Sequence, residues 1–269
     1  MKKKRARPGV NLIKARGGRV EVSEQGGVRY LHLGNDAVQS AMRLSRPYDL
    51  ELAYTRAMMA GLLLHHSPRT LCMIGLGGGS IAKFVHRHLP GLHMRVIELD
   101  RDVVAVARSM FGLPSDDERL EVKLGDGAKF VAGAKNCADL LLVDGFDRLA
   151  QVEALATSRF YEHAVAALNA GGILVVNLLR DDEGFDLYLR RIESACPGGT
   201  LCLEADGEPN VIVFGFRDAP KELRLDALRA RALGLEAATR LDFPQLLQGL
   251  RRYNDSTRTL LKVHTTTGP

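Results

Sequence analysis

The stretch LCMIGLGGGSIAKFVHRHLPGLHMRVIELD, Leu71 to Asp100, constrains the chain more than any other. Leu71, Cys72, Met73 and Ile74 form a short continuous apolar run, the pattern of a strand buried on both faces. Gly75, Gly77, Gly78 and Gly79 follow at once. Glycines so placed let the backbone turn tightly and approach a ligand that a Cβ would hold off. Ser80 to His88 continues at helical spacing, with Ile81, Phe84 and Val85 apolar, and Met94 to Leu99 reads as a second strand. Glu98 stands near the end of that strand, 23 residues after Gly75. A carboxylate there can take both hydroxyls of a ribose, so this β-α-β unit predicts a nucleoside-containing cofactor.

The turn narrows the choice. A dinucleotide site asks for G-x-G-x-x-G, its third glycine allowing close helix–strand packing. Here Ser80 holds that third position and the pattern is G-x-G-G-G. Such a loop fits S-adenosylmethionine-type enzymes, whose ligand has no phosphate, better than it fits a pyrophosphate.

The rest of the chain builds an α/β fold around this unit. Arg101 to Met110 reads as a helix, Leu120 to Leu124 as a strand closed by Gly125-Asp126-Gly127, and Ala138 to Val143 as a strand ending in Asp144-Gly145-Phe146-Asp147. Ser158 to Leu168 is expected helical, Ile173 to Leu178 a strand, Gly184 to Ala195 a helix, and Thr200–Glu204 with Val211–Phe216 a last strand pair. Repeated β-α units of this kind predict a mostly parallel sheet with helices on both faces. Upstream, Val20 and Val22 mark one strand and Val28 to Leu33 the other of a hairpin about Gln25-Gly26-Gly27. From Asp49 onward a helix should lead into the core, capped by Asp49. The expected divisions are a basic flexible tail over 1–18, a small N-terminal β-domain over 19–48, the nucleoside-binding domain over 49–219, and C-terminal helices over 220–269. In the last of these Asp242 caps the second helix and the end, HTTTGP, is disordered.

Composition excludes several classes. Residues 1–19 hold eight Lys or Arg and no acid, leaving 29 basic against 32 acidic residues beyond them. The net charge of +5 thus belongs to the tail rather than to a folded basic face, which argues against nucleic acid as a partner. No apolar run is long enough to span a bilayer and no h-region follows the basic start, so cytoplasm is the expected location. Cys72, Cys137, Cys196 and Cys202 form no CxxC pair, and no metal is expected.

Glu98, Asp126, Asp144 and Asp147 all fall at strand ends on one sheet edge, where open α/β sheets bind ligands. Four carboxylates there make a negative cleft that attracts cations and sulfonium groups. Asp126, or a backbone amide beside it, can pair with an adenine edge while also capping the following helix. Asp144 and Asp147, three apart on one loop, suit proton acceptance from an amine nucleophile and anchoring of a distant ammonium. Gln39, Tyr54 and Arg56 are further polar or semi-polar residues that could face a ligand, with plain surface roles as the alternative.

From Arg19 to Phe216 the chain resembles the spermidine synthase (polyamine aminopropyltransferase) family. The resemblance is carried by VQSAMR, Tyr54 in a helix, MIGLGGGS, VIELD, GDGAKF, VDGFD and SRFYEHAVAALNAGGILVVN, in family order. It implies a class I methyltransferase-like domain behind a small N-terminal β-domain, usually as a homodimer. It also implies decarboxylated S-adenosylmethionine as co-substrate and a small-molecule amine as acceptor. By resemblance Gly75, Gly77, Gly79, Glu98, Leu99, Asp126 and Gly127 bind the co-substrate. Gln39, which touches the nucleoside or its tail, Tyr54, and Asp147, which helps hold the polyamine or the co-substrate's amine, are the substrate-binding residues, and Asp144 activates the amine. The sequence departs from the family at four points, one being the lack of a tyrosine-rich C-terminal polyamine segment, which NVIVFGF only faintly echoes. Gly78 stands where the family's loop carries an aspartate for the co-substrate's free amine. Arg56 replaces a glutamate, and Gly145-Phe146 replaces the usual residues between the two acids. Methyl transfer from S-adenosylmethionine, favoured by Gly78, and a non-catalytic nucleoside-binding relative are the alternatives; Ser80 disfavours an NAD-linked reductase.

Overall fold

The computed structural model describes residues 13–14, 20–34, 37–147, 150–220 and 222–265. A short β1 (Ile13–Lys14) pairs antiparallel with β2 (Val20–Gln25), which turns into β3 (Val28–Leu33) and then β4 (Ser40–Arg43). Gly26 and Gly27 have φ of +59° and +76°, the left-handed pair that a two-residue hairpin requires. Val20, Val22 and Leu31 share the face that packs into the core, settling which hairpin face turns inward. The strand at Ile13–Lys14 corrects the expectation of a flexible tail at those two residues, and β4 escaped the sequence reading altogether. Residues 1–12 and 15–19, the remainder of the expected tail, lie outside the described residues.

Two short helices follow, α1 (Ala53–Met58) and α2 (Gly61–Leu64), so the helix begins four residues later than expected. Asp49 does not cap α1. The carboxylate of Glu208, brought in from far along the chain, accepts the amides of Ala53 and Tyr54 at 2.8 Å each. The long-range acid supplies what the local one was expected to give.

The central sheet then forms from β5 (Thr70–Ile74), β6 (His93–Glu98), β7 (Leu120–Leu124), β8 (Ala138–Val143), β11 (Leu168–Leu179), β12 (Thr200–Glu204) and β13 (Asn210–Phe216). A minor pair, β9 (Phe146–Asp147) and β10 (Ala150–Gln151), lies beside it. The sheet order is β12-β13-β11-β8-β5-β6-β7. It is parallel from β11 to β7; β13 runs antiparallel to both its neighbours, so the edge strand β12 points the same way as the parallel strands. Leu140 to Val143 are no more than 1 % exposed, because β8 is covered on both faces.

Helices α3 (Ser80–His88), α4 (Arg101–Met110), α8 (Leu225–Thr239) and α9 (Phe243–Tyr253) contribute to the core on one face, with α1, α2 and the N-terminal sheet. Helices α5 (Gly127–Gly133), α6 (Ser158–Ala167) and α7 (Phe185–Ala195) fill the other. Val20, Val22, Leu31 and Met42 of the N-terminal strands belong to the same apolar cluster as the central sheet. Asp242 caps α9 as expected, accepting the Gln245 amide. The chain end is ordered further than expected: β15 (Leu260–Leu261) pairs with β14 (Leu223–Arg224), and His264 exchanges backbone hydrogen bonds with Thr200. Residues 266–269 of the expected disordered end lie outside the described residues.

Candidate active site

The sheet reverses its order between β5 and β8, and this is where a crevice opens at the strands' carboxyl ends. Gly75 leaves β5 with φ +91°, and a Cβ on it would lie 2.2 Å from the Asp144 carbonyl oxygen. A glycine there lets the ends of the two strands close together, fixed by the Asp144 amide on the Ile74 carbonyl at 3.0 Å. Gly77 and Gly79 also have positive φ, and Gly79 starts α3 in the left-handed conformation.

The cleft encloses about 660 Å3. Its floor is made by Ile74, Gly75 to Gly77, Ile97 and Gly127, and Leu99 stands at its rim, 74 % exposed. Gly127 is required by packing, since a Cβ would meet Ile74 Cγ2 at 2.3 Å. Among the described residues, the charged groups lining the cleft are Glu98, Asp100, Asp126, Asp144 and Glu208, with no Lys or Arg. An apolar cavity rimmed by acids alone suits a ligand that is flat and apolar in one part and cationic in another.

Each acid is held by backbone or side-chain donors. Glu98, buried, accepts the Leu76 amide and the Asp100 amide at 2.8 Å each, which ties the glycine loop to β6. Burial pushes its carboxyl up, and those two amides resist the shift. Each carboxylate oxygen has a second lone pair, enough for a pair of vicinal hydroxyls. Asp126 caps α5 through the amides of Ala128 and Lys129 at 2.9 and 3.2 Å while lining the cleft.

Asp144 stands at the centre. Asn177, at the end of β11, donates to its Oδ1 at 2.9 Å, and Asn210 at the start of β13 donates to Asn177 Oδ1 at 2.9 Å. The Tyr54 hydroxyl reaches both the Asp144 carboxyl and the Gln39 carbonyl, the latter at 3.2 Å. Burial raises the Asp144 pKa above the usual carboxylate range, and the donors Asn177 and Tyr54 pull it back. The Tyr54 hydroxyl is itself pushed up by burial and by the charge of Asp144. A desolvated carboxylate with a raised pKa and two neutral donors beside it is suited to take a proton from a nucleophile.

The structure thus brings Gln39, Tyr54, Gly75, Gly77, Glu98, Leu99, Asp126, Gly127 and Asp144 to one cleft. Gly79 lies behind it, packed on Leu113. Asp147 is placed by its backbone in β9, and its side chain lies outside what is described. Arg56 does not enter the cleft; its Nη1 donates to the Leu50 and Glu51 carbonyls, so the charge reversal at that position is kept out of the site. Gly78 has no room for a larger residue: a Cβ would lie 2.8 Å from Ser40 Oγ and 2.9 Å from Phe111 Cδ1. Sequence reasoning missed Asn177, which the strand-end rule could have found, and Glu208, which sits in a turn with no local signal.

A doubly wound sheet with an acid at the end of β6 and another after β7 defines a methyltransferase-like fold. Residues 51–179 match the spermine/spermidine synthase domain. The chain is 38 % identical to the polyamine aminopropyltransferase of Chromobacterium violaceum over 95 % of its own length and 96 % of the relative's. It is 39 % identical to the same-named protein of Neisseria meningitidis serogroup A, over 87 % and 90 %. Human methyltransferase-like protein 13, solved in complex with SAH, matches with a TM-score of 0.62 at 27 % identity, covering 77 % of this chain and 97 % of that one. The chain belongs to the spermine/spermidine synthase family.

Proposed function

We propose that this chain is a transferase that moves the aminopropyl group of decarboxylated S-adenosylmethionine onto a small-molecule amine, a step of polyamine biosynthesis. The observation that carries the reading is the cleft whose charged lining residues are all acidic among the described residues, in a member of the aminopropyltransferase family. Both substrates of such a reaction are cations, and an acidic, partly desolvated cleft concentrates and orients them.

Glu98 takes the ribose hydroxyls, Asp126 and Gly127 meet the adenine edge, and Leu99 covers its face at the rim. Gly75 and Gly77 leave the backbone open to the sulfonium, and Gln39 and Tyr54 close the cleft from the other side. The acceptor's neutral amine attacks the carbon next to the sulfonium, the carbon–sulfur bond breaks, and its electron pair stays on sulfur as a neutral thioether. The nitrogen gains a positive charge and gives up a proton, for which the Asp144 carboxylate is the acceptor. Asp144 also orients the lone pair, since attraction alone would favour the unreactive ammonium. Asp147 follows on the same loop as a second anchor for an ammonium group.

One observation favours a second reading, methyl transfer from intact S-adenosylmethionine. Gly78 offers no carboxylate for the free amine of a decarboxylated tail and has no space for one. Calorimetric titration with S-adenosylmethionine, its decarboxylated form and methylthioadenosine separates the two, with product mass from an amine mixture as the readout of turnover. Preference for the decarboxylated ligand and an amine heavier by one aminopropyl unit are expected. Preference for the intact tail, with a methylated product, overturns the proposal. Among the described residues no helix is long and apolar enough to cross a membrane. A cytoplasmic homodimer is the proposed working form, checked by sedimentation and by fractionation.

A further inference from the structure

The glycine loop rests on two segments that a buried lysine ties together. A Cβ on Gly78 would meet Ser40 Oγ at 2.8 Å and Phe111 Cδ1 at 2.9 Å, and one on Gly77 would lie 3.7 Å from Ser40 Cβ. The first residue of β4 and the residue that ends α4 therefore both lie against the loop. Ser80, at the start of α3, holds β4 directly: its hydroxyl donates to the Ala41 carbonyl at 3.3 Å and lies 3.2 Å from that of Ser40.

Lys83, one turn further along α3, reaches both segments from behind. Its Nζ donates to the Phe111 carbonyl at 2.6 Å and faces Met42 Sδ of β4 at 3.0 Å. Beside it Arg29 of β3, paired with Glu24, donates to the Met110 carbonyl. The last carbonyls of a helix have no partner within it, so these two cations fix the end of α4. Packing alone does not ask for a lysine here. It is 1 % exposed with only neutral acceptors, and an apolar side chain of similar length would avoid the cost of burying the charge. What the lysine adds is a directed link between β4 and α4. Lys83 does not line the cleft, but the loop it supports does, through Gly75, Leu76 and Gly77. The Leu76 amide donates to Glu98, so a shift of the loop disturbs the acid that faces the nucleoside.

We propose that Lys83 is a positioning residue for the nucleoside site, holding β4 and the end of α4 against Gly78 so that the glycine loop keeps the shape that binds the co-substrate. This inference rests on the nucleoside-binding part of the reading above and holds for either transfer reaction. It is tested by calorimetric titration of methylthioadenosine into wild type, Lys83→Met, Gly78→Ala and the double variant, at a temperature where all are folded. Lys83→Met should weaken binding about tenfold, the range of one lost hydrogen bond. Gly78→Ala presses on Ser40 and Phe111 from the loop side and should weaken binding as well. In the double variant the loosened support yields to the added methyl, so the combined loss should fall short of the product of the single losses by about threefold or more. Arg29→Ala, at a partly exposed position, loosens the same helix end without emptying the core. It should weaken binding about threefold, and it carries the test if Lys83→Met does not fold. In turnover, the KM for the sulfonium co-substrate should rise in Lys83→Met while the KM for the amine stays within about twofold. A residue that served stability alone would leave the affinity of the folded variant unchanged, and that result overturns the proposal. Losses that simply multiply in the double variant overturn it too, since Lys83 and Gly78 would then act independently. Wild type that binds no methylthioadenosine refutes this inference and the nucleoside reading together, whereas failure in the variants alone leaves that reading standing.

Discussion

Lys83 gives the sharpest quantitative test of the packing behind the glycine loop. It lies in α3, 1 % exposed, with its Nζ donating to the Phe111 carbonyl at 2.6 Å and facing Met42 Sδ at 3.0 Å. Neither acceptor is charged. Burial, and then repulsion from Arg29, lowers its pKa from 10.5 to about 8. Between those two values the unfolded chain holds a proton that the native lysine has released, so stability rises with pH across that window. Integrating that difference from about pH 7.5 to about pH 9.5 gives a gain of about 2 kcal/mol from this group alone. Other lysines and tyrosines titrate nearby, so the measurement is a difference between two proteins. Urea unfolding of wild type and Lys83→Met at the two pH values should show the wild type gaining about 2 kcal/mol on the variant as pH rises. The comparison at one pH is less informative, because Met also leaves the Phe111 carbonyl without its donor. A gap that stays constant within about 0.5 kcal/mol would show that Lys83 is already neutral or is solvated in the native state, refuting the reasoning.

Three further outcomes follow from the site and the core. Asp144→Asn should lower kcat by about a hundredfold or more while methylthioadenosine affinity stays within a few-fold; unchanged turnover would remove Asp144 from its assigned role. Asn177→Leu removes a donor that lowers the Asp144 pKa, so the acid limb of the kcat/KM profile should move to higher pH, and an unmoved limb would show that Asp144 titration does not govern the rate. The Tyr161 hydroxyl is fully buried without a hydrogen-bond partner among the described residues, so Tyr161→Phe should be neutral or stabilising by about 1 kcal/mol in thermal unfolding, and a clear loss would reveal a partner, such as bound water, for the hydroxyl.

Much of the site was legible because it follows from local rules applied at strand ends. The Gly75 turn, Glu98 after β6, Asp126 after β7 and Asp144 after β8 are each marked by an apolar run followed by glycine or an acid. Parallel strands put those ends on one edge without any further information. Asn177 obeys the same rule and was passed over because a neutral amide offers no charge to attract notice. Arg56 shows the opposite failure: its charge looked decisive, yet its guanidinium binds the Leu50 and Glu51 carbonyls. Asp49, near the start of α1, was the natural cap by sequence, and Glu208 took that place from more than 150 residues away.

What the sequence determined by itself was the order of buried strands, the glycine turn and the acids that close each strand, because hydrophobic period and turn chemistry act over a few residues. The tertiary structure decided which of these share a cavity and what else enters it. It set Ser40 and Phe111 against Gly78, leaving no space for an aspartate, and carried Glu208 to the α1 amides beside Tyr54. Those facts depend on where β4, α4 and the β12–β13 turn pack, a long-range outcome that no window of neighbouring residues contains.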